Sequence, residues 1–375
     1  MSQASPATQT WPAADRQPEM RDAQPPYLVS VVINNYNYGR FLAEAIESAL
    51  DQSYAHIEVI VVDDGSTDHS REVIATYGDR IIPVFKENGG QASAFFAGFQ
   101  QSQGQIIMFL DADDMLLPQT VSTVAAAFEA RPGLSKVQFR LEIVDVDGNP
   151  TGTYTPPKKI PLPSGDLRRQ TLLFPDDICS PPTSGNAFAA TTLEQIFPMP
   201  DTHISKTGAD LYLINLAPLF GPVASLPEIG GRYRAHGENN DYTGRLDMDR
   251  LRRTIRRTAS NHQFIVDHAR RLDLHCVPTD GEILSVTYLA SRLASLKIDP
   301  EHHPVKEDTS ARLVRLGIKV ASRRFDLPRR TRALFMIWFV AAAVGPARLT
   351  RWLFETAFFP EQGSDVNRLL HRLAR

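Results

Sequence analysis

Three aspartates lie within four positions of this 375-residue chain, directly after one of its most strand-like runs. The run "QIIMFL" covers residues 105–110, and Asp111, Asp113 and Asp114 follow it. Carboxylates this close together repel one another, so they are costly to bury unless they take up protons or hold a cation. Oxygen ligands of this kind suit Mg²⁺ or Mn²⁺, and either ion also binds phosphate groups. The cluster therefore predicts a divalent metal site that could hold a diphosphate.

Two other strand-like runs also end in polar residues. "LVSVVI" (28–33) is followed by "NNYN", and "IEVIVV" (57–62) is followed by "DDGSTD". In a doubly wound sheet, ligands bind beyond the carboxyl ends of the strands, so we expect the three polar groups to project into one crevice. Asp, Gly and Ser also favour turns and helix caps, so no single group identifies a site. Their shared position at strand ends predicts one.

The pattern around these groups predicts the sheet that would position them. Short apolar strands alternate with helical patterns, which is typical of an α/β, Rossmann-like fold with a mostly parallel sheet and helices on both faces. The predicted strands are 28–33, 57–62, 81–85 and 105–110, and the predicted helices are 40–52, 69–77, 91–103 and 119–130. Asp68 is expected to cap the second helix.

Residues 134–160 depart from this alternation and predict a β-hairpin. The hairpin is expected to turn at Asp147 and Gly148, since Asp-Gly favours tight turns. The same segment contains a D-x-D-G sequence, but it lacks the remaining ligands and the closing Glu of a calcium-binding loop.

Three parts of the chain differ in composition. Residues 1–26 carry five prolines among Gln, Ser and Ala, which predicts a flexible leader without the apolar core of a signal peptide. Residues 27–243 contain the α/β pattern, and residues 244–375 are helical and rich in Arg. We therefore expect a boundary near Thr243.

Net charge and cysteine content bear on the protein's partners and on its cellular environment. The net charge of −3 gives no sign of a nucleic-acid partner. Two cysteines, Cys179 and Cys276, provide no disulfide framework, so we expect both to be ordinary core residues in a reducing, cytoplasmic environment.

In order and spacing, the polar motifs resemble those of the glycosyltransferase family 2 enzymes. The resemblance extends from about Leu28 to Asn240 and rests on the blocks "VSVVINNYNYGRFLAEAIESALDQSY", "IEVIVVDDGSTDHS", "KENGGQASAFFAGF", "GQIIMFLDADDMLLP", "TSGNAF", "GADLYL" and "YRAHGENN". Enzymes of this family have the GT-A fold and transfer a sugar from a nucleotide-diphosphate sugar, mostly with inversion at the anomeric carbon. The resemblance implies this fold and this activity here.

The resemblance also implies which residues contact the donor nucleotide. Asn34 and Tyr36 fall where the family holds the nucleobase, and Tyr36 offers a ring for stacking and a hydroxyl. Asp64, with Asp63 beside it, matches the carboxylate that accepts a hydrogen bond from the imide N–H of the base. A UDP-sugar is therefore the favoured donor.

The helix after "ENGG" lies near the donor in relatives. Gln91 begins it and is expected to reach the donor. Phe95 and Phe96 replace polar residues that relatives usually carry there, so we expect these two rings to pack in the core.

"DADD" matches the D-x-D motif of the family. Asp111 would contact the ribose, and Asp113 would hold the Mn²⁺ or Mg²⁺ that bridges the two phosphates. Asp114 is expected to be a structural partner. The cation would also stabilise the departing nucleoside diphosphate.

The remaining candidate residues lie near the end of the α/β pattern. Asp210, where relatives place an acidic residue at a helix start, is the candidate base for the acceptor hydroxyl, although Ala209 replaces the usual Glu and Asp210 could instead cap the helix. His236 is the second candidate metal ligand or diphosphate contact. Arg234 is expected to assist the leaving phosphates.

The C-terminal part has no counterpart among these motifs. Between Ala311 and Arg332 eight Arg or Lys oppose one Asp, and the apolar run "ALFMIWFVAAAVG" (333–345) follows. This pattern fits a helix lying on the cytoplasmic face of a membrane, where lipid-linked acceptors would be found, and it fits equally a helix buried against the rest of the protein. The run is too short to span a bilayer unless it is extended.

Two other functions remain open on the sequence alone. A haloacid-dehalogenase-like phosphatase also has D-x-D after a strand, but Met115 stands where that class has Thr or Val, and "DDGSTD" would be unexplained. A nucleotide-sugar binder that has lost catalysis is suggested by Ala209 and by the two phenylalanines. The leading interpretation is a metal-dependent glycosyltransferase that acts on a glycan or a lipid-linked acceptor.

Overall fold

The first half of the α/β pattern folds as the sequence predicts. In the computed structural model, which describes residues 26–175, 177–200, 208–236, 246–274 and 285–358, strands and helices alternate from β1 to α4. The elements are β1 (Val29–Asn35), α1 (Gly39–Leu50), β2 (Ile57–Asp63), α2 (Ser70–Ala75), β3 (Ile82–Phe85), α3 (Gln91–Gln101), β4 (Ile106–Asp111), β5 (Met115–Leu116) and α4 (Thr120–Ala130).

The parallel part of the sheet brings three strand ends to one edge. The order is β3-β2-β1-β4, and every pair is parallel. The register pairs Asn34 of β1 with Asp111 of β4, and Asn35 of β1 with Asp63 of β2. The parallel pairing of these strands therefore brings the polar residues at their carboxyl ends together, as predicted.

The second half of the sheet is mixed, where the sequence predicted a mostly parallel sheet. Its elements are β6 (Lys136–Val144), β7 (Pro150–Thr155), α5 (Arg168–Leu173), β8 (Asn186–Ala189), α6 (Ala190–Ile196), α7 (Ala209–Leu216) and β9 (Val223–Arg234). β8 pairs antiparallel with both β4 and β6, while β9 pairs parallel with β6 and antiparallel with β5. Among the described residues these strands complete one nine-stranded sheet.

The predicted hairpin at 134–160 is confirmed by the antiparallel pairing of β6 and β7. Asp145 holds its turn by accepting hydrogen bonds from the backbone N–H groups of Asp147 at 3.0 Å and Asn149 at 2.8 Å. Gly148 has φ 84°, a left-handed conformation that favours glycine.

Each face of the sheet buries its own apolar core. Successive residues of a strand point to opposite faces, so Val31 and Ile33 pack with α1 and α4, whereas Val32 packs with α3 and α7. Phe95 is fully buried and lies 4.4 Å from Phe109 between ring centroids, which confirms the expected core packing of this ring. Phe96 is half-buried and lies 5.5 Å from Phe197 at the side of the core. Burying one such side chain stabilises the fold by roughly 1.5–3 kcal/mol.

The C-terminal region is helical, as predicted. Its elements are α8 (Met248–Arg271), α9 (Val286–Ile298), α10 (Ser310–Arg323), α11 (Arg329–Val344) and α12 (Ala347–Phe358). Ile265 and Ala269 of α8 join the core that lies on the α7 side of the sheet, while α9 to α12 surround a third core that includes Leu293, Leu316 and Phe339.

Short 3-10 helices complete the described elements, at Gly78–Arg80, Thr183–Gly185, Ala217–Leu219 and Pro300–His302. None of the described helices is long and apolar enough to cross a membrane. The predicted leader, except its last residue, the boundary near Thr243 and Cys276 lie outside the described residues. Cys179 is half-buried and carries a free thiol.

Candidate active site

Asn34 and Asp111 meet at the ends of β1 and β4. The side-chain amide of Asn34 donates to Asp111 Oδ1 at 2.8 Å. The other end of that amide, Asn34 Oδ1, is buried and has no hydrogen-bond partner among the described residues. A buried carbonyl oxygen without a partner is costly, so it favours a bound molecule that donates a hydrogen bond there.

The two aspartates after β2 are held by the protein on separate contacts. Asp63 is fully buried and accepts from Asn35 Nδ2 at 3.1 Å and from Arg71 Nε at 3.0 Å. Asp64 accepts from the backbone N–H groups of Gly89 at 3.0 Å and Gly90 at 2.8 Å, and it also pairs with the Lys86 ammonium. Asp64 therefore fixes the loop that leads into α3.

An open cleft of about 530 Å³ lies beside these aspartates, lined by Gly65, Arg71, Phe85, Lys86, Glu87 and Asn88. Phe85 is half exposed, and the Arg71 guanidinium lies 5.6 Å from the centroid of its ring. Tyr36, on the loop after β1, is 47% exposed. Exposed rings and a cation near a parallel strand edge suit a planar base.

Ser184 connects the aspartates that follow β4. The Asp111 backbone N–H donates to Ser184 Oγ at 3.1 Å, and the same hydroxyl donates to Asp114 Oδ2 at 2.6 Å. The other oxygen of Asp114 accepts from the Arg234 backbone N–H at 3.0 Å. Asp114 is buried, and these contacts give it the structural part that the sequence predicted.

The carboxylates of this cluster raise one another's pKa. Burial, and next the charge of Asp113, raise the pKa of Asp111 to about 7, and Asp210 adds to the rise while the hydrogen bond from Asn34 opposes it. Burial and the charges of Asp113 and Asp111 raise the pKa of Asp114 well above its usual range. A divalent ion would relieve this repulsion by replacing protons.

His236 lies against the second aspartate of the motif. Its Nε2 is 2.9 Å from Asp113 Oδ2, and its ring packs between Tyr38 and Phe41 at centroid distances of 5.7 and 5.3 Å. The His236 side chain is 2% exposed and that of Asp113 is 13% exposed. The structure thus brings together the two predicted metal ligands.

The described residues contain no group of three His, Cys, Asp or Glu side chains arranged to hold a metal ion. Asp113 and His236 still fit an ion that arrives with its substrate, because Mg²⁺ is commonly bound through one or two protein ligands with phosphate oxygens and water completing the shell. The carboxylate and imidazole of this pair suit Mn²⁺ as well.

Arg234 is buried, and its guanidinium is directed at protein acceptors. Nη2 donates to Glu44 Oε2 at 2.7 Å, Nη1 to the Val146 carbonyl at 2.8 Å, and Nε to the Asp113 carbonyl at 3.1 Å. The guanidinium carbon lies 4.7 Å from the centroid of the Phe41 ring. This geometry favours a positioning role toward Asp113 over the predicted contact with the leaving phosphates.

Asp210 lies in the first turn of α7, on the same side of the sheet as Asp111. The helix begins after Gly208, whose φ of 123° suits glycine, and the Gln91 side-chain carbonyl accepts from the N–H groups of Gly208 at 3.1 Å and Ala209 at 3.0 Å. Gln91 thus supplies a cap to the first N–H groups of α7 from another helix. Gln91, predicted to reach the donor, holds the element that carries the candidate base.

Sequence reasoning missed some supporting residues. Glu44 is on α1 and pairs with Arg234, and Lys86 pairs with Asp64. Neither has a local signal, because an exposed-looking Glu or Lys becomes a partner only when distant segments meet. Ser184 lies in "TSGNAF", one of the blocks that carry the family resemblance, and its hydroxyl joins Asp111 and Asp114.

The family assignment follows from a match that contains the strand-end residues of this site. Residues 30–191 match the family described as "Glycosyl transferase family 2". That range includes Asn34, Asp64, Asp111 and Asp113 at the ends of β1, β2 and β4. This chain carries a glycosyl transferase family 2 domain.

Two sequences named as glycosyltransferases are similar to parts of this chain. An uncharacterized glycosyltransferase of Nostoc sp. is 38% identical over 216 residues, which cover 56% of this chain and 66% of that protein. The glycosyltransferase GlyG of Streptococcus pneumoniae is 39% identical over 101 residues, covering 26% of this chain and 34% of GlyG. About a third of the first relative, and more of GlyG, is left unmatched.

A solved structure shares the fold of the family 2 domain and its helical continuation. Residues 1–349 of S. aureus TarS in complex with UDP match with a TM-score of 0.50, covering 88% of this chain and 90% of that one. Only 14% of the aligned residues are identical, so the likeness concerns the GT-A fold alone.

Proposed function

We propose that this protein transfers a sugar from a nucleotide-diphosphate sugar, with a UDP-sugar favoured, to a hydroxyl of a glycan or lipid-linked acceptor. What supports the proposal is the meeting of Asn34, Asp111, Asp113 and Asp210 around one strand edge of a family 2 domain. The buried Asn34 Oδ1 can accept a hydrogen bond, and a positive charge would stabilise the ionised aspartates. A nucleotide diphosphate could donate the hydrogen bond, and a divalent ion bound with it would supply the charge.

Asp113 and His236 would hold the Mn²⁺ or Mg²⁺. The ion would neutralise the diphosphate and so make it a better leaving group. Asp111 would bind the ribose, and Arg234 would keep Asp113 in place through its contact with the Asp113 carbonyl.

The nucleotide would lie across the ends of β1 and β2. Tyr36 and Asn34 would contact the base, with Asp63 and Asp64 shaping the loops around it. TarS, a protein of the same fold, was solved with UDP, which makes a uridine nucleotide the first ligand to test.

Asp210 would act as the general base. Its carboxylate accepts the proton of the acceptor hydroxyl while that oxygen bonds to the anomeric carbon from the face opposite the leaving group. The bond from that carbon to the diphosphate oxygen breaks, and its electron pair leaves with the nucleoside diphosphate. One displacement of this kind inverts the anomeric configuration. Gln91 and Gly208 position the base by fixing the start of α7.

The location follows from the acceptor. Sugar nucleotides are cytoplasmic substrates in this proposal, and a lipid-linked acceptor would be met at the cytoplasmic face of a membrane. The protein would then be cytoplasmic and peripheral on that face.

Asp210→Asn tests the chemical step separately from binding. We expect UDP release from a UDP-sugar with Mn²⁺ and acceptor to fall by roughly 10²- to 10⁴-fold, because a positioned base contributes about that much. Nucleotide affinity should stay the same. Asp166→Asn, at an exposed site, is the matched control. Full turnover in Asp210→Asn would remove Asp210 from the mechanism.

The non-catalytic alternative has its own support in Ala209, which replaces an acidic residue, and in the buried Phe95. A thermal-shift screen of UDP-, GDP- and dTDP-sugars with and without Mn²⁺ identifies the donor, since a ligand that binds the native state raises the unfolding temperature. Tight binding without turnover on any acceptor would favour the non-catalytic binder. The phosphatase alternative leaves unexplained why the family match includes "DDGSTD" as well as "DADD".

A further inference from the structure

The outer face of α11 is apolar and exposed. Ile337 is 64% exposed, Val340 44% and Val344 83%, and their spacing of three and four places them on one side of the helix. The opposite side carries the buried Trp338 and Phe339. A helix whose only role is to pack in the core would bury its apolar side chains. The exposed apolar stripe of α11 therefore indicates a surface that binds a partner.

α10 extends the exposed stripe into a shallow groove. A groove of about 570 Å³ runs between the two helices, and its lining includes Ala311, Val314 and Ile318 from α10 with Val340 and Val344 from α11. Arg315 stands at its rim and is exposed. We call Ala311, Val314, Ile318, Ile337, Val340 and Val344 the α10–α11 face.

The same region is strongly basic. Residues 310–358 contain ten Arg or Lys and two acidic residues, whereas the whole chain has a net charge of −3. Both acidic residues already have basic partners: Asp326 pairs with Arg324 at 2.6 Å, and Glu355 lies 3.7 Å from Arg351. Positive charge is therefore in excess here. The exposed basic side chains are Arg315, Arg323, Arg329, Arg330 and Arg348.

Exposed aromatic rings complete the pattern. Phe325, just before α11, is 48% exposed, and Trp352 of α12 is 45% exposed. Trp and Phe beside Arg and aliphatic residues are typical of a surface that enters the headgroup region of a bilayer.

We propose that the α10–α11 face docks on an anionic phospholipid membrane. Its aliphatic side chains would enter the boundary between headgroups and acyl chains, and the surrounding arginines would pair with lipid phosphates. Charge decides against a second copy of the chain as the occupant, because a symmetric dimer would bring two strongly positive surfaces together.

Membrane docking adds a partner to the proposed transferase function. Only its biological purpose, bringing the family 2 domain to a lipid-linked acceptor, rests on that proposed function. Vesicle binding needs no sugar nucleotide and no turnover. Failure of the docking and failure of the transferase activity are therefore separate results.

Sedimentation of the full chain with vesicles of neutral phosphatidylcholine, and with vesicles that also contain phosphatidylglycerol, tests the proposal. We expect binding to the anionic vesicles that weakens as salt is added. Ile337→Ser/Val340→Ser/Val344→Ser should weaken it about tenfold or more through lost apolar burial. Arg329→Gln/Arg330→Gln should weaken it roughly tenfold through lost headgroup attraction.

Matched controls change other parts of the surface. Ile82→Ser/Ile160→Ser/Leu272→Ser replaces three aliphatic residues that are each 37% exposed, and Arg253→Gln/Arg256→Gln removes two exposed charges from α8; both should bind like the wild type. Circular dichroism verifies that each variant is folded.

Three results would overturn the proposal. The first is absence of vesicle binding by the full chain, and the second is equal binding by wild type and by the aliphatic variant. The third is a dimer in light scattering that dissociates on Val344→Ser, which would assign the face to a second copy.

Discussion

The aspartates of the site divide by the groups that contact them. Asp63, Asp64 and Asp114 each accept two or more hydrogen bonds from the protein. Asp111 and Asp113 instead contact other candidate site residues: Asp111 Oδ1 accepts from the Asn34 amide at 2.8 Å, and Asp113 Oδ2 lies 2.9 Å from His236 Nε2. Residue type alone cannot make this division, because it depends on which backbone N–H groups and side chains arrive from other segments.

Arg234→Lys tests whether Arg234 positions Asp113 or binds phosphate. Lysine cannot reproduce three donors directed at Glu44, Val146 and Asp113, so we expect the ligand-free protein to lose roughly 2–4 kcal/mol of unfolding free energy. Urea unfolding measures this directly.

Arg232→Lys is the control for Arg234→Lys, since Arg232 is on the same strand, is 41% exposed and lies 3.9 Å from Glu142. Unchanged stability of Arg234→Lys together with weakened UDP affinity would instead make Arg234 a phosphate ligand.

At the scale of elements, the loop before β8 ties the α/β sheet to the C-terminal helices. Asp177 caps α9 by accepting from the N–H groups of Val286 at 2.7 Å and Thr287 at 3.0 Å, and it pairs with Arg324 at 2.7 Å. Seven residues later the same loop carries Ser184, which joins Asp111 and Asp114. One connection thus holds both the C-terminal region and the acidic cluster.

Asp177→Ala should loosen this connection. Removing two capping contacts and a buried charge pair is expected to cost roughly 2–4 kcal/mol and to speed amide exchange at the start of α9. Hydrogen exchange at Val286 and Thr287 measures it, with Asp166→Ala as the control at an exposed position. Unchanged exchange at these amides would show that the start of α9 does not depend on Asp177.

His262 gives α8 a dependence on pH. Burial lowers the pKa of His262 to about 4, from about 6.5 when the chain is unfolded. Between these values the unfolded chain binds more protons, so stability is full above about pH 6.5 and falls as pH decreases toward 4.

His262→Gln should remove this part of the pH dependence. Between pH 7 and 4.5 the wild type is expected to lose roughly 2–3 kcal/mol more unfolding free energy than His262→Gln. Urea unfolding at both pH values measures the difference, and His56→Gln controls for removing an exposed imidazole. Parallel losses in wild type and His262→Gln would contradict burial of the neutral ring.

The sequence predicted β1 to β4 because each is an apolar run closed by polar residues. It did not predict β9, since "VASLPEIGGRYR" contains Pro and paired Gly, which weaken strand patterns. Gly230 is explained only by its neighbour: a Cβ there would lie 2.3 Å from the Phe139 ring. The burial of Arg234 at the end of β9 could not be predicted either, because β9 itself was not recognised as a strand.

At the scale of the whole molecule, charge is distributed unevenly along the chain. The site gathers aspartates at the edge formed by β1, β2 and β4, whereas residues 310–358 carry an excess of arginine. The net charge of −3 sums over these two regions and therefore conceals both of them. The proposed cation site and the proposed lipid-binding face would together fit an enzyme that meets a charged donor and a membrane-bound acceptor.

Calorimetric titration of UDP into the protein, with Mn²⁺ and with EDTA, tests the central claim most directly. The claim is that the acidic edge binds a nucleotide diphosphate through a divalent ion. Asp113→Asn removes the proposed ligand, and Asp147→Asn in the exposed hairpin turn is the matched control, from the other D-x-D sequence. We expect UDP to bind the wild type and Asp147→Asn with Mn²⁺, and to bind roughly tenfold or more weakly with EDTA or with Asp113→Asn. Equal affinity with and without the metal, or in Asp113→Asn, would contradict the account.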